Sequence, residues 1–255
     1  MTTRQKNLLE LLQKQERLDI ASAAKKFGVS TMTIRRDFRV LEAEKLILQT
    51  KGGAVIHPAQ YEPENIISEL NDLKFEIADA LFQRIFPCKS LFIGTGTTCL
   101  AFAKTVARRN IVPNTVITHS LSVASALFQS RSKVILLGGE LRKNSMDLVG
   151  ETAERNLSEY KVEWLISGCD GALADYGFYT SDMRLHNLER KTISVADNVA
   201  VITESSKFGR RSLTRFAARE EVDLLVTDDN ISEENAEKLT SCGIDIIKVT
   251  SIKQQ

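Results

Sequence analysis

Residues 30–39 hold a dense group of side chains suited to nucleic-acid recognition. Short hydroxyl groups and guanidinium groups occur together here, on Ser30, Thr31, Thr33, Arg35, Arg36 and Arg39. Near the N-terminal end of a helix, such side chains can reach base edges and phosphates in a DNA groove. The helix dipole adds attraction for phosphate at the same end. The pattern predicts a recognition helix that binds double-stranded DNA.

A loop rich in glycine and threonine offers a second kind of anion chemistry. Gly94, Thr95, Gly96, Thr97 and Thr98 directly follow an apolar run and precede an amphipathic segment. Glycines permit close approach of the backbone, and free N–H groups at a helix N-terminus favour an anion. The loop lacks the Gly-Lys-Thr/Ser of a Walker A motif. Taken alone, such a turn is more often a plain strand–helix connection than a phosphate site, and both interpretations stay open at this point.

Other polar residues also follow predicted strands. His119, Gly138 to Glu140, Asp170 and Lys207 each come after an apolar run. Because the carboxyl ends of parallel strands meet at one rim of a sheet, we expect these residues to lie together. Lys207 can neutralise a phosphate as a mobile point charge, and Asp170 can accept from sugar hydroxyls. His119 either contacts a ligand there or is a partly buried histidine with satisfied hydrogen bonds.

The recognition helix needs a scaffold, which the preceding residues predict. Apolar residues spaced i, i+3 and i+4 predict a first helix over 4–15, and a second helix fits 20–27. Asp19 is suited to cap the start of the second helix, and Gly28 to end it. Short helices separated by a tight turn make a helix-turn-helix.

The third helix of this scaffold is the recognition helix itself, from residue 31 to about 44. Ser30 is its predicted N-cap. Asp37 would be repelled by DNA, so we expect it to face the protein and orient a neighbouring arginine. The apolar stripe of the helix follows i, i+4, i+7 and consists of Ile34, Phe38 and Leu41.

A β-hairpin is predicted directly after this helix. Residues 46–55 contain two short apolar runs around a polar segment with Lys51 and the pair Gly52-Gly53. This hairpin would be the wing of a winged helix, and Lys51 would add a DNA contact. The alternative for the N-terminal region is a small helical module for protein interaction or dimerisation.

The remainder of the chain predicts an α/β fold. After a helix over 65–86, strand-like and helix-like segments alternate with short connections, which favours a mainly parallel sheet covered on both faces. The predicted strands are 91–93, 116–118, 134–137, 164–167, 199–202, 224–227 and 246–249. The predicted helices are 98–108, 121–130, 151–159, 181–196 and 233–241.

Composition and charge divide the chain into two parts. The 255 residues are 43% hydrophobic and 26% charged, which excludes a long disordered or low-complexity protein. Residues 1–57 hold 11 Lys/Arg and 6 Asp/Glu, which gives them a net charge of +5. Of the totals of 34 Lys/Arg and 33 Asp/Glu, 23 and 27 remain for residues 58–255, whose net charge is −4. A basic head on an acidic body suggests a polyanion-binding module joined to another unit. The predicted domains are 1–57, a linker over 58–72 with Pro58 and Pro63, and 73–255.

Several classes of protein are excluded by what the sequence lacks. It contains no apolar run of about eighteen residues and no signal-peptide apolar region, which predicts a cytoplasmic protein with no membrane association. Four scattered cysteines without a CxxC pair predict reduced structural thiols and no metal site. The sequence predicts no cofactor.

Several of these motifs resemble one family. Residues 30–38 (Ser-Thr-Met-Thr-Ile-Arg-Arg-Asp-Phe), followed by Leu41-Glu42 and Gly52-Gly53-Ala54, resemble the N-terminal signature of the DeoR family. These proteins are bacterial transcription repressors of sugar catabolism. Residues 136–142, 168–171 and 205–210 resemble the family's sensor domain, which is similar in fold to ribose-5-phosphate isomerases and CoA transferases. The resemblance implies that the 94–98 loop and Lys207 hold the phosphate of a sugar phosphate.

The sequence departs from the family pattern at positions around this loop. His119 stands where the family often has Asn, and Glu204 where it often has Asp. Glu189-Arg190 stands where a Lys-Arg pair is common. These departures leave the phosphate residues intact and leave the identity of the sugar open.

The predicted function is that of a DNA-binding repressor of a carbohydrate-catabolism operon, which a phosphorylated sugar relieves. Because operators are commonly palindromic, a homo-oligomer is expected. The repressor is predicted not to be an enzyme. The alternative is a sugar-phosphate isomerase-like enzyme with a DNA-binding head, in which Asp170, Glu140 and Lys207 would supply the base and electrophile.

Overall fold

The structure is a computed structural model that describes residues 1–15, 17–44, 46–50, 52–56, 70–109, 111–143 and 145–250. The chain divides into two compact units, residues 1–62 and 63–255. Lys51, the linker residues 58–69 and the first part of the predicted 65–86 helix lie outside the described residues. The predicted domain boundaries remain predictions.

The first unit is a winged helix-turn-helix. Its helices are α1 (Thr3–Gln15), α2 (Ile20–Phe27) and α3 (Thr31–Ala43), as the sequence predicted. The wing strands β2 (Ile47–Thr50) and β3 (Gly53–Ile56) pair antiparallel. A strand that the sequence did not predict, β1 (Arg17–Asp19), pairs with β3 and completes a three-stranded sheet.

The turn between α2 and α3 forms for the local reasons that the sequence indicated. The Asp19 carboxylate accepts hydrogen bonds from the N–H groups of Ala21 and Ser22 at the start of α2. Gly28 ends α2 in the left-handed conformation, with φ of 63°, which glycine adopts without steric cost. The Ser30 hydroxyl then accepts from the Thr33 N–H and starts α3.

The core of the first unit is built from the predicted apolar positions. Side chains of α1, α3 and the sheet are fully buried together, namely Leu8, Leu12, Ile34, Phe38, Leu41, Ile47 and Ala54. The two helices therefore turn one face each inward, as their 3.6-residue period requires. The opposite face of α3 is left exposed.

A seven-stranded, wholly parallel sheet forms the centre of the second unit. The strands are β4 (Ser90–Ile93), β5 (Thr115–Thr118), β6 (Lys133–Leu136), β9 (Val162–Ser167), β12 (Ala196–Ile202), β14 (Leu224–Asp228) and β15 (Asp245–Val249). Their order is β15-β14-β12-β9-β4-β5-β6. All seven predicted strands are confirmed. The order reverses between β4 and β9, and such a switch point is where open α/β sheets bind ligands.

Helices cover both faces of this sheet. They are α4 (Asp72–Ile85), α5 (Thr97–Ala107), α6 (Leu121–Ala126), α7 (Glu151–Leu157), α8 (Met183–Ser194) and α9 (Glu233–Thr240). One buried cluster joins α4 and α5 to the sheet, and a second joins α7, α8 and α9 to it. The predicted helix from residue 65 is corrected in its described part: Asn71 caps α4, so residues 70 and 71 are not helical. The 121–130 helix is also shorter than predicted.

Two small antiparallel elements stand beside the parallel sheet. One is a hairpin of β7 (Glu140–Arg142) and β8 (Asp147–Val149). The other is a three-stranded sheet of β10 (Gly171–Leu173), β11 (Gly177–Thr180) and β13 (Thr214–Ala218). Neither was predicted. In the described ranges, no helix has the length and apolar character that a membrane crossing needs.

Candidate functional site

The exposed face of α3 carries most of the predicted DNA-binding residues. Ser30, Thr31, Arg35, Arg36 and Arg39 are exposed, and Thr33 is half-buried with its hydroxyl 2.9 Å from that of Ser30. Within the described chain, none of the three arginines forms an ion pair. Their guanidinium groups are therefore available to an external anion.

Asp37 faces the protein, as predicted, but its partner comes from another helix. Its buried carboxylate accepts from Arg4 Nε at 2.6 Å and from Gln5 Nε2 at 3.1 Å, both on α1. The hydrogen bond to Asp37 raises the pKa of Arg4. Asp37 thus ties α1 to α3 and adds no exposed negative charge to the DNA-binding face.

Glu42, which the sequence marked only as part of a motif, fastens the wing to α3. Its carboxylate accepts from the Gln49 backbone N–H at 2.8 Å and from Gln49 Nε2 at 2.6 Å. Gln49 lies in β2, the first strand of the wing. The orientation of the wing relative to the recognition helix therefore depends on this side chain.

In the second unit, a cavity of about 620 Å³ opens at the carboxyl ends of β4, β9 and β12. We call it the strand-end cavity. It lies at the switch point between β4 and β9, where fold geometry favours a ligand. Its lining includes residues 95–98, 168–170 and 203–204, together with Ser206, Lys207 and Arg210.

Part of the lining of the strand-end cavity has the properties of an anion site. Gly96 has φ of 97° and caps α5 without a side-chain hydrogen bond. The first N–H groups of α5 therefore lack intrahelical partners. Lys207 and Arg210 also line the cavity, and their side chains form no ion pair with any described residue. The turn that carries Lys207 is anchored because Ser205 donates from N and Oγ to Asp228, both at 2.6 Å.

Residues in and beside the two small antiparallel elements also line the cavity. Arg142 is buried and its guanidinium donates to Asp147 and to Asp182, the latter at 2.7 Å. Asp170 accepts from the Ser181 N–H at 2.8 Å and from its hydroxyl at 2.6 Å. These bonds hold polar groups of three separate segments at fixed positions around one space.

One oxygen of a carboxyl group and one hydroxyl in the lining residues lack hydrogen-bond partners. Glu189 Oε2 and Ser122 Oγ are buried and have no partner among the residues that the structure describes. Burial, followed by the negative charge of Asp170, raises the pKa of Glu189 to about 8. Burial also raises the pKa of the Cys169 thiol to about 12, so it supplies no thiolate at neutral pH.

The structure brings together only some of the predicted ligand residues. Thr95, Gly96, Thr97, Thr98, Asp170 and Lys207 line the strand-end cavity. Gly94 is buried behind it, where its N–H donates to the Ile166 carbonyl at 2.9 Å. Glu140 and the two glycines before it lie outside the lining, and Glu140 is exposed.

His119 is buried and does not line the cavity. Its ring stacks on Phe92 with centroids 5.7 Å apart, and burial lowers its pKa to about 4. The expectation of satisfied hydrogen bonds is wrong for the described chain, because neither ring nitrogen has a partner there. Within that same part of the chain, no group of His, Cys, Asp and Glu is arranged to hold a metal ion.

Sequence reasoning missed several residues of the lining, notably Lys74, Arg142, Glu204 and Arg210. Lys74, in the first turn of α4, pairs with Glu204 at 2.7 Å. Arg142 and Arg210 are the last residues of the motifs at 136–142 and 205–210, so those motifs held the signal for them. Lys74 carried no such signal, because its partner is distant in the chain.

A winged helix-turn-helix together with an α/β unit that holds a ligand-sized polar cavity defines the class of ligand-sensing transcriptional regulators. Two family models cover the two units: a DeoR-like helix-turn-helix domain matches residues 4–60, and a DeoR C-terminal sensor domain matches residues 70–229. The chain belongs to the DeoR family.

Full-length relatives agree with this assignment. The chain is 29% identical over 252 residues to an Escherichia coli O157:H7 protein named for transcriptional repression of the aga operon, covering 96% of this chain and 93% of that protein. It is 29% identical over 247 residues to the transcriptional regulator GlpR of Haloferax volcanii, covering 96% of each. A ribose 5-phosphate isomerase A structure from Neisseria gonorrhoeae matches 55% of this chain and 54% of its own, at 17% identity and a TM-score of 0.41.

Proposed function

We propose that the protein represses an operon for carbohydrate catabolism and that a phosphorylated sugar in the strand-end cavity relieves repression. The observation that carries this proposal is the pairing of charges in the cavity. Lys74 pairs with Glu204, and Arg142 pairs with Asp182, whereas Lys207 and Arg210 have no carboxylate partner in the described chain. Two such cations in a cavity that an open helix N-terminus also lines favour an anionic ligand.

The sites divide between the two units. In the first unit, Ser30, Thr31, Thr33 and the three arginines of α3 would contact an operator, with Lys51 as a further contact from the wing. In the second unit, residues 95–98 and Lys207 would hold the phosphate, and Asp170 would accept from the sugar. Gly94 would shape the loop from behind rather than touch the ligand.

The organisation of the active protein is part of the same proposal. A homo-oligomer would present two recognition helices to the two halves of a palindromic operator. The protein would act in the cytoplasm, where the DNA of its operon lies. The relatives are regulators, so catalysis is not proposed; a turnover assay with sugar phosphates, run beside the binding experiment below, tests the isomerase alternative.

A thermal-shift screen tests the ligand class. The probes are inorganic phosphate and a panel of five- and six-carbon aldose and ketose phosphates, each compared with its unphosphorylated sugar. We expect phosphorylated compounds to raise the melting temperature of the wild type and to have little effect on Lys207→Ala. Lys161→Ala is the matched control, because Lys161 is exposed and lies outside the cavity lining. Equal stabilisation by a sugar and its phosphate would refute the phosphate site.

A further inference from the structure

Two residues on different helices line the strand-end cavity, and each has a buried polar atom without a hydrogen-bond partner. Glu189 belongs to α8 and Ser122 to α6. Their relative exposures are 9% and 3%, and both line the cavity. Glu189 Oε2 and Ser122 Oγ have no hydrogen-bond partner among the described residues. Because buried polar groups in native proteins are almost always paired, a partner is expected to enter with the ligand.

The groups around Glu189 determine whether its carboxyl is protonated when the ligand binds. The Thr180 hydroxyl of β11 hydrogen-bonds to it, and the charges that act on it are Asp170, Asp147 and Arg142. The charge of Glu189 also acts on two thiols, those of buried Cys99 and half-buried Cys169. Burial and the charge of Asp170 raise the pKa of Glu189 more than Thr180 and Arg142 lower it, so the pKa is about 8. The carboxyl therefore keeps its proton at neutral pH and can donate as well as accept.

We propose that the Glu189 carboxyl and the Ser122 hydroxyl bind the hydroxyl-bearing carbon chain of the ligand. The cavity would thus select a polyhydroxylated compound with one anionic end over inorganic phosphate. This inference rests on the proposed function, which assigns the anionic end to Lys207 and residues 95–98. Asp170 and Asp147 near Glu189 would repel a second negative group on the ligand. Uncharged hydroxyls, in contrast, can hydrogen-bond to both unpaired groups.

Isothermal titration of the full-length protein tests this assignment with two probes. The first probe is inorganic phosphate, and the second is the most stabilising sugar phosphate of the panel. Glu189→Gln keeps a hydrogen-bond donor and an acceptor, whereas Glu189→Ala and Ser122→Ala remove them. Glu237→Gln is the matched control, because Glu237 lies on α9, outside the cavity lining. We expect inorganic phosphate to bind all these proteins equally, because the proposed phosphate site consists of Lys207 and residues 95–98 and leaves out Glu189 and Ser122.

The sugar phosphate is expected to distinguish the same variants. At pH 7, Glu189→Ala should bind it about tenfold more weakly than wild type, the scale of one lost hydrogen bond to a buried group. Glu189→Gln should stay within about threefold of wild type, since the amide replaces the neutral carboxyl. Ser122→Ala should weaken binding less than Glu189→Ala.

A pH series separates hydrogen bonding from a merely structural role. Below pH 8 the Glu189 carboxyl is neutral and can donate; above it the charged carboxylate cannot donate and repels the phosphate. Wild-type affinity for the sugar phosphate should fall as pH rises from 7 to 9, while that of Glu189→Gln stays flat. The phosphate monoester is already a dianion over this range, so it adds no slope of its own.

The outcomes discriminate this inference from the proposed function. If a sugar phosphate binds but Glu189→Ala and Ser122→Ala bind it as wild type does, the inference fails and the phosphate site survives. If wild type and Glu189→Gln share one pH profile, or no sugar phosphate binds tighter than inorganic phosphate, the inference also fails. If neither probe binds wild type, the proposed function fails with it. Should Glu189→Ala not fold, Glu189→Gln and the pH series still decide.

Discussion

At the scale of single residues, charge on the recognition helix is sorted between its two faces. Asp37 is buried against Arg4 and Gln5 of α1, while Arg35, Arg36 and Arg39 remain exposed. The buried carboxylate stabilises the packing of α1 on α3 and leaves the outer face positive. A polyanion approaching that face meets guanidinium groups that hold no internal partner in the described chain.

The outer arginines carry the first prediction. Replacing both Arg35 and Arg36 by Ala should weaken operator binding. Each of these arginines that hydrogen-bonds to a base should account for a loss of about 1–3 kcal/mol. An arginine that binds only phosphate should instead lower the dependence of affinity on salt. Fluorescence anisotropy on labelled operator DNA at several salt concentrations measures both effects. Arg184→Ala, an exposed arginine of the second unit, is the control. Unchanged binding of the double variant at moderate salt would reject α3 as the recognition helix.

At the scale of elements, apolar periodicity accounts for what could be predicted. The seven parallel strands are apolar runs, which are buried in the five inner strands and only partly buried in the edge strands β6 and β15. The predicted helices carry one apolar face, so each element is visible in its own local sequence. The hairpin of β7 and β8 and the sheet of β10, β11 and β13 are short and glycine-rich or polar. β7 pairs with β8 and β10 with β11 across short turns, and only β13 comes from a distant segment. Strands of three to five residues are too short to show a clear apolar period.

The candidate site shows the same limit. Residues 95–98 and Lys207 could be predicted because a loop after an apolar strand reaches the ligand rim of a parallel sheet. Lys74 could not, since its position follows from an ion pair to Glu204 across 130 residues of sequence. His119 follows a strand like the others, but its ring turns into the core against Phe92.

The wing supplies a prediction at this scale. Glu42→Ala removes both hydrogen bonds that hold Gln49, a loss of about 1 kcal/mol for each. Amide hydrogen exchange in residues 47–56 should speed up while exchange in α3 stays slow, and operator affinity should fall. Glu44→Ala is the matched control, because Glu44 is exposed and only two residues away. If exchange in the wing is unchanged, Glu42 does not set its position.

At the scale of the whole molecule, two compact units with opposite charge are expected to fold separately. Limited proteolysis should cut first within residues 57–65 and release a stable acidic fragment, which mass spectrometry would identify. The physical reason is the Pro-containing segment predicted to join the units. First cleavage inside residues 90–210 would contradict the predicted boundary.

The central claim is that ligand binding in the second unit changes DNA affinity of the first. A ligand shifts such an equilibrium only if it binds two states of the protein differently. A coupling of about 1–3 kcal/mol, or roughly 5–150-fold in affinity, is typical of allosteric proteins. Residues 95–98 and Lys207 line the strand-end cavity of the second unit, and we propose that they bind the ligand in this coupling.

Operator affinity with and without the sugar phosphate tests this claim most directly. The operator is first selected in vitro with the wild-type protein, and anisotropy then gives its affinity with and without the most stabilising sugar phosphate of the panel. We predict that the compound weakens operator binding of wild type by roughly 5–150-fold and leaves Lys207→Ala at full affinity. Wild-type affinity that does not change with saturating ligand, or a Lys207→Ala protein that responds as wild type does, would contradict the account.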